Sequence, residues 1–361
     1  MKNILTVGAA LMLTTTAAMA GGLDRSGQGI GAIFESGSYV ELSYGSVMPS
    51  VSGSAAGGVF NSGNVGVDYG NLGGALKFDV NEKVSVAIIF DQPFGANVDY
   101  AAGTGYPLAG SNAEIESKSL TVVGRYKINE NVSVHFGPRV VSMEGFAKVV
   151  SSAGTYDATF ASDTATGYVV GAAYERPDIA LRVALTYSSE LSFSHDTTLQ
   201  VAPGVFAPVP STDYTTPQSL NLDFQSGVAE NTLVFGSIRW SEWTTTEINS
   251  FGYPGNPLVG YDNDSVAYTL GVGRKFSDTF SGAVSVGFEK ANGGIADNLA
   301  PTDGNTSLSV GGTYTMASGI ELTGGVRYIW VGDATTALGP LSPEFTDNSA
   351  VAIGLKVAYN F

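Results

Sequence analysis

The segment Ser349–Phe361 reads as a strand without help from its surroundings. Every second residue is large and apolar: Val351, Ile353, Leu355, Val357, Tyr359 and Phe361. The residues between them are small or polar, with Lys356 in the middle. Side chains alternate faces along a strand, so this segment has one greasy face and one wet face. A soluble edge strand has a similar pattern, but here the apolar face runs out to a terminal aromatic. That is the form expected of the last strand of an outer-membrane barrel, whose end ring sits in the interfacial aromatic girdle.

The other end of the chain agrees. Met1-Lys2-Asn3 is a short basic start, an apolar stretch follows, and Ala18-Met19-Ala20 offers a cleavage site before Gly21. This predicts a secretory signal peptide over residues 1–20 rather than a membrane helix. There is no Cys, so an exported chain of this kind relies on closed strand pairing instead of disulfides, and metal sites of Cys type are excluded. Hydrophobic residues make up 43% of the chain, yet after the signal no run of about 18 apolar residues occurs. The net charge of −16 argues against nucleic acid as a partner. An acidic secreted β-sandwich is the plainer alternative.

Alternating segments recur at roughly 38–48, 71–79, 84–92, 115–126, 132–143, 164–174, 180–189, 218–225, 232–246, 265–276, 280–289, 306–316, 320–331 and 349–361, which makes fourteen. Their connections alternate short and long. The long ones are 49–70, 93–114, 144–163, 190–217, 247–264, 290–305 and 332–348. Short periplasmic turns, long outer loops and an even strand number are the marks of a bacterial outer-membrane barrel. A soluble sandwich has no reason to keep that alternation. The basic residues give a parity test. Lys77, Arg125, Arg139, Arg182, Arg239, Arg327 and Lys356 all fall on the parity opposite the apolar face, and so point into the lumen. A cation on the lipid face at mid-bilayer costs about 2–4 kcal/mol. Arg274 takes the lipid parity, but it lies just before the Ser277 turn, where the side chain snorkels.

Residues 21–37 precede the first strand and do not fit the pattern. The segment is Gly-rich but carries Ile30, Ile33 and Phe34, apolar enough to prefer burial. It is therefore expected to fold into the lumen as a small plug, a disordered tail being the alternative.

Four stretches resemble the FadL/TodX outer-membrane transporters of long-chain fatty acids and other hydrophobic compounds. They are the Gly-rich start leading to Ala32–Tyr39, Pro49-Ser50-Val51-Ser52-Gly53, Thr216-Pro217-Gln218-Ser219-Leu220, and Val234–Trp243 with its Trp240-Ser241-Glu242-Trp243. The similarity runs through essentially the whole mature chain. It implies a fourteen-stranded antiparallel transmembrane β-barrel (residues 38–361) with a luminal hatch (residues 21–37). It also implies capture at the outer loops, transfer to an inner pocket and exit through an opening in the barrel wall. The family's Asn-Pro-Ala hatch motif is missing. The sequence does not locate the opening; Pro138, inside a strand and unable to donate to the ladder, is one candidate.

A transporter of oily solutes needs an apolar landing site above the membrane. The loop 190–217 supplies Val201, Val205, Phe206 and Val209, an apolar run that needs an explanation if exposed. Tyr106-Pro107-Leu108 and Tyr253–Val259 are weaker stretches of the same kind. A carboxylate head group wants arginine, and Arg139 and Arg239 are the preferred luminal contacts. His135 and His195 are the only histidines, with no Ser placed to form a triad, so no catalysis is expected. Gly27-Gln28-Gly29-Ile30-Gly31 lacks the strand and spacing of a nucleotide loop. Asp262-Asn263-Asp264 reads as an exposed acidic turn rather than a cation site. No cofactor or metal is expected. The expected partners are a hydrophobic small molecule, fatty acid or hydrocarbon, and the lipid and lipopolysaccharide of the outer membrane around a monomer. A general porin and a structural or adhesive barrel are the competing functions.

Overall fold

The computed structural model describes residues 22–361 apart from positions 153 and 256; the signal-peptide reading falls on residues outside the described ones. Fourteen strands close a single antiparallel barrel. They are β1 (Tyr39–Ser50), β2 (Tyr69–Asp79), β3 (Val84–Asp91), β4 (Asn112–Lys127), β5 (Val132–Ser151), β6 (Gly154–Arg176), β7 (Leu181–Ser188), β8 (Ser219–Ala229), β9 (Thr232–Ser241), β10 (Ser265–Lys275), β11 (Phe280–Glu289), β12 (Asn305–Thr315), β13 (Ile320–Val331) and β14 (Ser349–Asn360). Each pairs with the next, and β14 returns to β1 in continuous register from Tyr39↔Asn360 to Ser50↔Ser349. The ring is closed throughout except along the upper part of β2, where Tyr69–Gly73 pair with β1 only; closure is what a backbone in lipid requires.

Period-two alternation sets the two faces. On β14, Ile353, Leu355 and Val357 face outward and exposed, while Ala350, Ala352, Lys356 and Ala358 are buried toward the lumen. Lys77, Arg125, Arg139, Arg239 and Lys356 are likewise buried, and Arg274 is exposed near its turn, as the parity predicts. The short turns use residues suited to a reversed backbone: Asn231 takes φ 57° and Gly319 φ 87°.

Two of the expected outer loops are not loops. Residues 144–163 continue β5 and β6 to a hairpin tip after Ser151. The alternation of Tyr156, Ala158 and Phe160, all buried, drives this extension. Residues 190–217 also form a hairpin, Leu191–Ala202 against Val205–Thr216, which joins the upper part of β6 at Thr197↔Phe160. Above the barrel these extensions and the remaining long loops share one apolar core that includes Val51, Tyr100, Tyr106, Phe160, Leu258 and Phe345. Tyr106 and Leu108, expected at the surface, are buried there, with Tyr106 stacked on Tyr100 at 5.5 Å. Leu258 and Val259 of the second weaker stretch are buried in the same core. The cause is the same for both stretches: enough outer chain is present to bury its own apolar residues.

Candidate functional site

The lumen is occupied by residues 22–37. Ile30 and Ile33 are buried against Tyr39, Ala75, Ile89, Val123 and Val169 of the barrel wall. A one-turn 3-10 helix, Gly31–Phe34, presents Phe34 edge-on to His135 at 5.9 Å. The guanidiniums of Arg125 and Arg182 flank the same ring at 4.8 and 4.9 Å. Upstream, the segment is held by polar contacts. Asp24 takes both Arg239 Nε and Nη2 at 3.1 Å. Arg139 Nη1 donates to Gln28 Oε1 at 2.5 Å, Ser26 Oγ to Asp91 at 2.6 Å, and Asn221 Nδ2 to the Gly27 carbonyl at 2.7 Å. The two arginines expected to meet a cargo head group are thus engaged by the plug, and neither lines a described cavity.

The same segment is stitched to a break in the wall. β3 stops at Asp91, and Gln92–Phe94 turn inward before Gly95–Asp99 resume pairing with β4, one residue out of register. β2 pairs with β3 only from Gly74 to Asp79, so Tyr69–Gly73 have no strand on that side. Pro93 explains the break, because it has no N–H for the ladder. The Gln92 side chain stands in by accepting the Leu72 N–H at 2.7 Å. The Pro93 carbonyl accepts from Arg25 N, Gly95 N donates to the Leu23 carbonyl, and Asp24 bridges Phe94. A cavity of about 60 Å³ lies here between the plug and the wall; Gly73, Gly74 and Gly354 line it beside the outward-facing Tyr44 and Leu355. At Pro138, one candidate for an opening, the ladder to β4 skips Gly137 and Pro138 but no gap in the wall follows. The β4–β5 register is unchanged across it and it still pairs with Tyr168. A Cβ on its neighbour Gly137 would run into the Val122 carbonyl, so the wall is tight there.

Above the plug, the outer cap borders a partly open cavity of about 660 Å³. Its floor is Arg25 and Tyr69 and its walls include Val98, Leu299, Trp243 and Tyr261. Asp297 is half-buried in the wall and accepts the Gly260 N–H at 2.8 Å. Burial raises its carboxyl to about 6. Ala96, Val98, Leu299 and Ala300 also line a second, smaller pocket of about 40 Å³, almost wholly apolar, which reaches under the surface hairpin to Phe146, Phe160 and Tyr214. At the hairpin tip Val201, Val205 and Phe206 stand out into solvent, each at least half exposed, and Val209 is half-buried.

The histidines are structural neighbours. His135 Nε2 lies 3.0 Å from Thr186 Oγ1, and His195 packs against Phe193 and Tyr214, which also contact each other. Asp264 accepts from Trp240 Nε1 and from Thr244, bracing the loop that carries Trp243. Sequence reasoning passed over Asp24, Arg25 and the Gln92–Pro93 break. Pro93 after an apolar strand is the available signal for the last; nothing local in the sequence marks Asp24 or Arg25.

Residues 47–361 match the sequence profile of a family described as outer membrane protein transport protein (OMPP1/FadL/TodX). No curated protein sequence matches the chain. Among solved structures it is similar to a Pseudomonas aeruginosa FadL homologue, at 15% identity, 92% coverage of both chains and a TM-score of 0.77. It is also similar to the Pseudomonas putida toluene transporter TodX (11% identity, 92% and 94% coverage, TM-score 0.67). A third is the Ralstonia pickettii toluene transporter TbuX (11% identity, 95% coverage of each, TM-score 0.64).

Proposed function

Because the chain belongs to the OMPP1/FadL/TodX family of outer membrane transport proteins, we propose that it takes up hydrophobic compounds across the outer membrane, with long-chain fatty acids as first cargo. It is a transport protein and not an enzyme. The observation that carries the cargo reading is the cavity above the plug, walled partly by aliphatic and aromatic side chains and sharing Ala96 and Val98 with a neighbouring apolar pocket. Cargo lands on the exposed Val201, Val205 and Phe206, passes to the cavity, and leaves sideways at the Gln92–Phe94 break when the plug yields. The fold shared with two toluene transporters and a FadL homologue supports an apolar cargo. An export signal over residues 1–20, a hatch over 21–37, a barrel over 38–361 and a monomer surrounded by lipid and lipopolysaccharide belong to the same proposal. A water-filled porin fits poorly, since Arg139 and Arg239 hold the plug in the lumen.

Two measurements test the proposal. A strain lacking the protein should grow slowly on oleate as sole carbon source and recover on complementation; normal growth removes fatty acids as cargo. In a planar bilayer the protein should show no large, steady channels. Their presence would make it a porin.

A further inference from the structure

The uptake reading leaves the chemistry of the cargo's head open, and Arg25 bears on it. The residue is 8% exposed and sits on the plug between two anchors, Asp24 and Ser26. Its own N–H is fixed on the Pro93 carbonyl at 2.8 Å. Its guanidinium lies 4.1 Å from the centre of the Tyr69 ring. Gly95 makes room for it, because a Cβ there would fall 2.6 Å from Arg25 Nε. Yet nothing completes its donors. Among the described residues no carboxylate forms an ion pair with Arg25 and its side chain makes no hydrogen bond. Most of its luminal neighbours differ: Arg125 meets Glu175, Arg139 meets Gln28 through one nitrogen, Arg239 meets Asp24 and Lys356 meets Glu41, while Arg182 rests on the Phe34 ring away from the large cavity. A guanidinium whose donors no protein group takes up is available to an acceptor in the space it faces. This one forms the floor of the cavity of about 660 Å³.

We propose that Arg25 is the head-group receptor, holding the carboxylate of an apolar acid on the plug itself while the tail lies along Val98, Leu299 and Trp243. This rests on the uptake reading above. A guanidinium matches a carboxylate as a planar fork, and Tyr69 stacking fixes the plane while leaving the donor edges free. Glu247, Asp262 and Asp333 are exposed carboxylates in the same cavity wall. With Asp297 and Asp303 in the same lining, Arg25 is the only cation among the described lining residues, so an anion has one place to sit there. Glu114 and Glu116 on β4 contribute field without pairing with it. Cargo bound in this way sits on the element that must move.

Trp243 lines the cavity and reports occupancy. Protein in lipid nanodiscs is titrated with a terminally brominated dodecanoate and the matching brominated dodecanol, and tryptophan quenching is followed. A Trp243→Phe variant gives the background from Trp240 and Trp330. The acid should bind about tenfold or more tighter than the alcohol, the range set by a hydrogen bond to a charged group. Arg25→Gln should abolish that preference and leave the alcohol's affinity unchanged, and Arg25→Lys should keep part of it. If both ligands bind alike and Arg25→Gln changes neither, the head-group role is overturned while uptake stands. Loss of both ligands in Arg25→Gln and in Arg25→Lys would make the residue a structural anchor and overturn the role as well. If the wild type binds neither ligand, the uptake reading and this one fall together.

Discussion

The outer cap and the luminal plug are both buried, and they are held in opposite ways. The cap closes around an apolar core in which Tyr100, Phe160, Leu258 and Phe345 meet at long sequence separation. The plug does have an apolar end, at Ile30 and Ile33. Its other half, Asp24 to Gln28, is fixed by directional bonds to Arg239, Asp91, Asn221 and Arg139. Apolar packing is non-directional and tolerates small slides. Charge-assisted hydrogen bonds are strong only in good geometry, and another polar partner can replace them one by one. The cap is thus held by packing, and half of the plug by directional bonds that other polar groups could take over.

The sharpest way to break that contrast is Asp24→Ala. It leaves Arg239 buried without its carboxylate and should weaken the plug's hold by about 3–5 kcal/mol. Hydrogen exchange should then rise across residues 22–37 while the barrel strands stay protected. An unchanged plug would mean that the ionic anchors do not hold it. Phe345→Ala is the matching test above the membrane. Phe345 is fully buried and packs so closely on Gly53 that a Cβ there would lie 2.7 Å from its ring. The cavity should cost about 3–5 kcal/mol. Proteolysis of the outer loops should accelerate with plug exchange unaffected, and if both regions loosen together they are one cooperative unit. Asp297 sharpens the comparison through pH. Its folded value of about 6 lies above the ordinary 3.8, so the folded cap binds the proton more tightly. Stability from this group is fully present below the ordinary value, is lost as pH rises through about 6, and is flat beyond, by about 3 kcal/mol at most. Asp297→Asn should flatten the pH profile of outer-loop proteolysis over that window, leaving the plug's exchange alone. The smallest effect is expected from Ser26→Ala, which removes one bond to Asp91. It should raise exchange at the plug by the equivalent of about 1.5 kcal/mol, and no change would locate the hold wholly at Asp24 and Gln28.

Much of the barrel was legible because lipid imposes it. Each strand must carry an apolar face at period two, so Leu355 and Val357 against Lys356 declare their faces in sequence order. The turns and the inward parity of Arg125 or Arg239 follow from the same constraint. Above the membrane that constraint ends. There the upper parts of β5 and β6 and the hairpin at 191–216 look like loop sequence, with Ser, Thr and Asp on one face and only scattered apolar partners on the other. The site was least legible of all. Asp24 and Arg239 are 215 positions apart, and nothing local marks either as the partner of the other. Arg139 and Arg239 were rightly placed in the lumen, but the plug's own polar groups reach them, which local sequence cannot reveal. Pro138 and Pro93 are the instructive pair. Both lack an N–H, yet only Pro93 comes where β2 has run out of partner and the chain can leave the wall.

The pairing of β14 with β1 along the whole of both strands has a temporal meaning as well. The plug comes before β1 in the chain and lies inside the ring, so entering before the last strand docks spares it a passage through a mouth. A barrel that zipped shut around an empty lumen would have to recruit its plug through a mouth. Assembly order, and not affinity alone, then decides whether a molecule starts life shut or leaking.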